Sequence, residues 1–516
     1  MAKSALILTL LATIAFSQTA DATNGMSMIG YGARMSAMGG ASLGMSGDTN
    51  LINTNPAGLS TITGRRVDAT LGLLMPSVHF RNDINDLDAD SEIFPLPSLG
   101  YVHGGGDSPW TFGVGLFAQG GMGATYPKVS HSIFRAYDGN PLTQDGLIKQ
   151  EYHSNIGYMK FAPTVSYRIS EALSVGVSIN AGYAMMEMRM PYSIDPLLMR
   201  GQVPGAGGMT FGQMFSAPMD QGGLGYDEVT AYADLEDGVT ATGWGGKFGA
   251  RYQVTDRLSF GASYTMKSTL DFSGDASMDM TSQFGDAYDR MVMGELMSGA
   301  AADPNNPTET ELQNAQVGVN QKLAGMGIDP SKGMAADYDV DIEFAWPRQF
   351  GLGGAYELSD NLLFALDVSW INWKDSMEKF VMKFKNGNNA NINTMMGTPD
   401  GSMKMEMPLD WDDQIVLALG VEYGATPDLT LRGGFNYADN PVPAETLIPI
   451  FPAVVQSHIT LGAGYRINEA FSLDAAYEFV PGYEVEAKRS VIANEYNGHA
   501  SELGENVLHL TGSYSF

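Results

Sequence analysis

Stretches in which apolar and polar side chains strictly alternate recur along this whole chain, and they constrain its fold more than any other feature. One pattern reads SYRISEALSVG from 166, RYQVTDRLSFG from 251, AYELSDNLLFA from 355, EYGATPDLTLR from 422 and GYRINEAFSLD from 464. Each copy is an alternating segment ending near a Tyr, a short polar turn, then a second alternating segment. Period-two alternation gives a strand one apolar and one polar face. Tight turns rich in Asn, Asp and Ser join antiparallel neighbours, because those side chains bond their own backbone. In the last segment Leu508, Leu510, Tyr514 and Phe516 share one face, opposite His509, Thr511, Ser513 and Ser515. Trp244, Phe248, Ala250 and Tyr252 likewise oppose Lys247, Arg251 and Gln253.

The apolar rows are about ten residues long and end in aromatics, as the outer band of a membrane barrel does and the inner face of a soluble sandwich need not. Counting the segments predicts an all-β fold: a transmembrane antiparallel β-barrel of about 14 strands, with short periplasmic turns and long outer loops. Past residue 22 no run of about 18 apolar residues occurs, so a membrane can be crossed only by a closed barrel. The first 22 residues read as a secretory signal: Lys3, an apolar stretch from Ala5 to Phe16, and Ala20-Asp21-Ala22 as cleavage site. Location in a Gram-negative type outer membrane follows. There the lipid and lipopolysaccharide are partners, and the terminal Phe516 offers itself to the barrel-assembly machinery. The net charge of -29 argues against nucleic acid, which demands a basic face. With no cysteine there is neither a disulfide nor a thiolate metal site.

Long connections are expected near 81–95, 121–157, 191–240, 275–337, 386–402, 438–456 and 482–502. Residues 191–240 carry Met199, Met209, Met214 and Met219 with Phe211 and Phe215 among Pro and Gly. Within 275–337, Phe284, Tyr288, Met291, Val292 and Leu296 fall at helical spacing, predicting an amphipathic helix over 283–298. These residues either pack on one another or form an adaptable apolar capture surface, since Met and aromatics suit promiscuous hydrophobic binding.

Residues 53–60 read NTNPAGLS and close a Gly- and Met-rich, nearly uncharged segment ahead of the first strand at Val67. Its position at the periplasmic mouth, and its lack of charges to desolvate, suit a plug folded into the lumen. A Gly-rich N-terminus ending in N-P-A-G-L, DNPVPAETLIPIFP at 439–452, and WPRQFGLGGAYELSDNLLFALDVSWINW at 346–373 together resemble the FadL family of outer-membrane transporters. The resemblance spans essentially the mature chain. It implies passive transport of long-chain fatty acids or other hydrophobic compounds by a monomer without cofactor. It implies a hatch over residues 23–64 and a barrel over 65–516. Asn55, Pro56, Ala57 and Gly58 are the hatch signature, with Pro56 fixing φ and Gly58 expected to permit a tight reversal. The resemblance also implies a kinked third strand that opens the wall sideways. Gly120, Gly121 and Gly123 interrupt the alternation there, marking either that kink or the strand's end at Gln119.

In the fatty acid carriers of that family the loop after P-V-P-A bears basic residues; here ETLIPIFPAVVQ has Glu445 and then no Lys or Arg before Arg466. Tolerance of neutral hydrophobes is therefore expected, because a buried carboxylate without a cation is costly. Lys160, Lys247, Lys267 and Arg432 are the inward-facing cations that could meet a carboxylate, unless lumen acids take them. A diffusion porin for polar solutes is the alternative, and would want an open charged constriction. No enzyme is expected. Gly40-Ala41-Ser42-Leu43-Gly44 lacks the strand and helix that a nucleophile elbow needs. Asp86 to Asp90 begins like a calcium loop but has Ser91 and Pro97 at its Gly and Glu positions. His509 near Ser513 is the one weak hydrolytic pair. No metal site is expected from the seven histidines.

Overall fold

The computed structural model describes residues 24–106, 108–143, 146–235 and 238–516. The predicted signal segment, 1–22, lies outside the described residues.

The alternating segments are strands, and they close on themselves. In chain order the ring is β1 (Arg65–Arg81), β2 (Phe94–His103), β3 (Trp110–Val129), β4 (Gln150–Arg168), β5 (Leu173–Ile194), β6 (Val239–Thr255) and β7 (Leu258–Thr265). It continues through β8 (Gln349–Ser359), β9 (Leu362–Ile371), β10 (Gln414–Gly424), β11 (Leu429–Tyr437), β12 (Ser457–Arg466), β13 (Phe471–Ala487) and β14 (His499–Ser515). Each pairs antiparallel with the next. The last pairs back to the first, from Arg66 opposite Ser515 to Arg81 opposite Ala500. Closure leaves the ring without a first or last strand whose edge is free along its length, which is what a membrane-spanning sheet requires.

The alternation sorts side chains as the sequence dictates. Leu510, Tyr514 and Phe516 are exposed on the outer face, while His509, Thr511 and Ser513 are buried inside. Tyr252, Tyr356, Tyr423 and Tyr465, each beside a short turn, are about half exposed and form an outer aromatic row at that end.

The whole sheet has 20 strands, more than the expected count, because the outer loops extend the wall. Beyond the ring, Val229–Asp234, Phe272–Asp279, Ala335–Glu343, Lys379–Lys385 and Met403–Pro408 pair in succession from the outer end of β5. Loop lengths shift accordingly: β3 runs to Val129, well into the segment expected to be a loop from 121.

Helices pack on this extension. The helix expected over 283–298 spans Thr281–Glu295 and continues as a wider turn over Leu296–Ala300. A second, Glu309–Gly325, starts at a reciprocal cap between Thr308 and Glu311. Its T-x-x-E signal was present in the sequence and was not read. Among the described residues no helix is long and apolar enough to cross a membrane.

Candidate functional site

Residues 24–62 lie within the ring, almost wholly buried against its inner face. What admits them is a belt of glycines at one level of the wall. Gly100, Gly176, Gly249, Gly261, Gly420, Gly434 and Gly462, on seven different strands, present no side chain to the interior. A Cβ on them would overlap Thr49, Pro56, Asn55, Leu43, Met38, Gly39 and Ala37 respectively. Gly44 of the segment in turn presses on the backbone of Ala355. In a strand, glycine marks close backbone approach.

Within the segment, Asn55 caps a short helical turn, Pro56–Thr61, with Pro56 at its first position. The Asn55 amide donates to Leu43 O at 2.8 Å and to Ala250 O on β6 at 3.0 Å. Ala57 O accepts from Ser166 of β4 and Ser174 of β5 at 3.2 and 3.0 Å. The N-P-A residues thus fasten the segment to three strands. Gly58 departs from its expected role: its φ is not positive, and what calls for glycine there is the Leu51 side chain packed over it.

Charge fastens the segment as well. Arg34 Nε and Nη2 donate to Glu422 of β10 at 2.9 and 3.0 Å. The same carboxylate accepts from Arg432 Nε at 2.7 Å, while Arg432 Nη1 donates to Asp474 at 2.6 Å. Asp367 of β9 accepts the backbone N–H groups of Ser42 and Leu43 at 2.7 and 2.9 Å. Burial, with the neighbouring Asp68 carboxylate, pushes the Asp48 carboxyl above the usual range.

The four candidate cations therefore divide. Arg432 is committed to wall acids. Lys267, at the outer rim, donates to Asp375 O at 2.8 Å and pairs with its carboxylate at 3.3 Å. Lys160 and Lys247 are buried inside the wall and make no ion pair among the described residues. Ser513 bonds Arg66 while His509 faces Glu478 at 3.6 Å, so the weak hydrolytic pair is not brought together.

Among the described residues the wall is interrupted between β2 and β3. β2 and β3 pair from His103 opposite Phe112 to Ser98 opposite Phe117, and no further. β3 then bulges between Ala118 and Gly120, and beyond it β4 is the one ring strand that pairs with it, while Asp90 N donates to Thr125 O at 2.8 Å across the far end of the gap. Gly120 sits at φ 131°, a conformation that favours glycine. The residues of β2 that β3 leaves include Pro95 and Pro97, which have no N–H to offer a neighbouring strand. These prolines were the unread sequence signal. The N-terminal segment meets β3 at this break: Ser27 bridges Gly120, and Met28 N donates to Gln119 O at 3.3 Å. The Gln119 side chain accepts from Tyr31 and Asn53, each at 3.2 Å.

Above the segment the interior is one apolar cluster, rich in Met, that runs from Met26 to the outer extension. Gly25 abuts the Trp373 ring. Trp373 packs edge-on to Trp411 with centroids 5.3 Å apart, and Trp346 lies 5.0 Å from Tyr158. Sequence reasoning did not single out these tryptophans. Phe211 and Phe215, on the short helix Phe211–Ser216, are buried, as are Met214 and Leu296. Phe284, Tyr288 and Met291 are half-buried against the same cluster. Of the two readings of these loops, packing on one another is what the geometry displays. Phe215 stacks on Tyr226 at 5.5 Å, and the Arg290 guanidinium lies 4.1 Å over the Tyr226 ring. Burial and Asp286 push the Tyr226 hydroxyl well up, so it stays a donor to that carboxylate.

The family profile described as outer membrane protein transport protein (OMPP1/FadL/TodX) matches residues 8–516. Outer membrane protein P1 of Haemophilus influenzae is 24% identical over 184 residues, covering 34% of this chain and only 37% of that protein. Among solved structures, the Pseudomonas putida toluene transporter TodX superposes with a TM-score of 0.65 at 19% identity, covering 94% of this chain and 99% of that one. The Ralstonia pickettii toluene transporter TbuX gives 0.62 at 19%, covering 94% and 98%. At such identities the structural likeness establishes a shared fold.

Proposed function

The chain belongs to the outer membrane protein transport family of OMPP1, FadL and TodX, and from that premise we propose that it carries hydrophobic small molecules passively across the outer membrane and releases them sideways. Ligand passes the Met- and aromatic-rich outer loops, descends the apolar interior, and leaves for the bilayer between β2 and β3. Residues 23–64 act as the hatch that turns it aside. The observation that carries this reading is the end of β2–β3 pairing at Phe117, with residues 27–31 and 53 of the hatch seated on the bulge beyond it.

A sideways exit is physically natural, because an apolar solute released into lipid avoids the aqueous periplasm. Glycine-to-segment contact on seven strands spread around the ring seats the segment in the lumen, which is unfavourable to a polar diffusion pore. The substrate is a long-chain fatty acid or a neutral hydrocarbon. The Trp346, Trp373 and Trp411 group supports an aromatic solute such as the toluene carried by TodX and TbuX. A carboxylate would be met by Lys160 and Lys247 rather than by Arg432 or Lys267. The protein works as a monomer, inserted by the barrel-assembly machinery through Phe516.

The test is to replace Gly120, Gly121 and Gly123 with Val and follow uptake of labelled toluene and labelled oleate into cells. Slowed uptake with normal membrane insertion is expected; wild-type rates from a correctly inserted variant would refute lateral release.

A further inference from the structure

Above the membrane, β5 outruns its partner. Its pairing with β4 ends at Arg189 opposite His153, and Met190–Ile194 pair on one side only, with Val229–Asp234. The extension sheet continues from there to Met403–Pro408, whose outer edge has no strand partner among the described residues. First and last strands of the extension face each other across a cleft of about 740 Å³ lined by residues 190–195 and 404–408, with residues 490–494 along one side; its acids are Asp195, Asp227, Glu228 and Glu406, so an anionic head is excluded from this cleft itself. Free edges are ordinarily paired or covered. Here two of them frame a gap. Met190, Tyr192, Met405 and Met407, on the buried sides of the two edges, belong to the apolar cluster that fills the interior. The gap is a seam in the side of the extension, and these four buried side chains are what separates it from the rest of that cluster.

A second cleft of about 600 Å³ adjoins the first and shares Leu198, Arg200 and Lys404 with it. It is lined by Arg200, Lys383, Lys385 and Lys404 and by no acid, in a chain with 29 basic and 58 acidic residues. The three lysines meet Glu343, Asp341 and Glu406 across the outer surface. Exposed pairs of that kind are weak and exchange partners readily. Arg200 is exposed and makes no ion pair among the described residues. Leu198, 45% exposed, adds an apolar wall beside it. The last clearly lipid-facing side chain on β5 is Tyr183, and Ile194 lies 11 residues further out. At about 3.3 Å per residue that is roughly 35 Å of strand, so the clefts are approached from water.

We propose that this seam is a side portal into the protein, selective for amphiphiles with one anionic head and an apolar tail, such as a long-chain carboxylate. Arg200 and Lys404 hold the head, and the tail passes between Met190 and Tyr192 on one side and Met405 and Met407 on the other. The portal rests on the transport reading above and adds where ligand gets in and which charge is read there.

The chain has no cysteine, which makes the test clean. Ser193→Cys and Glu406→Cys, bridged by bifunctional methanethiosulfonate reagents of graded length, clamp the seam in the intact membrane-inserted protein. Uptake of labelled oleate should fall about tenfold on bridging and recover on reduction, with the extent of bridging read by mass spectrometry. Fully bridged protein that transports at the unbridged rate overturns the portal. If the double-cysteine protein does not insert, Arg200→Gln with Lys404→Gln decides instead. That variant should slow oleate uptake several-fold and leave methyl oleate unchanged; equal effects on both, or none on either, refute anion reading at the seam. Wild-type protein that moves neither compound would fail the transport reading itself, a result distinct from either of these.

Discussion

Replacing Gly261 with Ala probes the fit between the N-terminal segment and the wall at its tightest point. Gly261 faces inward on β7, and a Cβ there would overlap the Leu43 carbonyl. That atom is backbone, so no rotamer relieves the overlap, and the segment must withdraw. Two N–H groups of Ser42 and Leu43 reach Asp367 at 2.7 and 2.9 Å, and a retreat of about 1 Å takes such bonds past their useful range. Such hydrogen bonds contribute about 0.5–1.5 kcal/mol each to a neutral acceptor and about 1.5–3 to a charged one, so the seat weakens by about 1–6 kcal/mol. About 5.5 kcal/mol converts 1:99 into 99:1. A loss of that size moves the balance toward release at Ser42 and Leu43, while the contacts of Arg34, Asn55 and Ala57 still oppose full withdrawal. The barrel itself should survive, since Gly261 pairs within the ladder on both sides and alanine does not disturb those bonds. Gly433, whose added Cβ would meet nothing closer than 3.7 Å, is the matched control. Single-channel recording in planar bilayers should show large openings for Gly261→Ala and quiet traces for Gly433→Ala. Protease added to detergent-solubilised protein should clip the Gly261→Ala segment first. Quiet traces and an intact segment in a correctly folded Gly261→Ala protein would falsify the view that these glycines seat a plug.

Deleting residues 24–62 while keeping the signal should raise conductance sharply, and an unchanged conductance would count against a plugged lumen. Glu422→Gln leaves Arg34 and Arg432 facing one neutral amide; breaking a buried pair costs about 3–5 kcal/mol, so the variant should loosen its N-terminus by hydrogen exchange before the barrel melts. Long-chain fatty acid and its methyl ester should bind within about tenfold of each other at neutral pH, which is about 1.4 kcal/mol. A larger preference for the acid that survives Arg200→Gln with Lys404→Gln would assign the carboxylate to Lys160 and Lys247, and Lys160→Met with Lys247→Met should then abolish it.

Period-two alternation is local, so which face of each strand meets lipid was legible from the sequence, as at Leu510 and Phe516 against His509 and Ser513. The turns and the tyrosines beside them were legible for the same reason, and N-P-A-G-L marked a segment apart from the strands. What the segment touches was not legible. Seven wall glycines form one belt only because closure brings strands at 100, 176, 249, 261, 420, 434 and 462 to a common level. Arg432 read as an available cation; Arg34, 388 residues from Glu422, completes the cluster that occupies it. Phe211, Met214 and Phe215 read equally as a surface or a core, because composition does not say what an apolar side chain meets; packing decided that they are buried. The break in the wall followed the same logic. Gly120 signalled a bend in β3, but only the neighbouring strand, with Pro95 and Pro97 unable to donate, turns a bend into a gap.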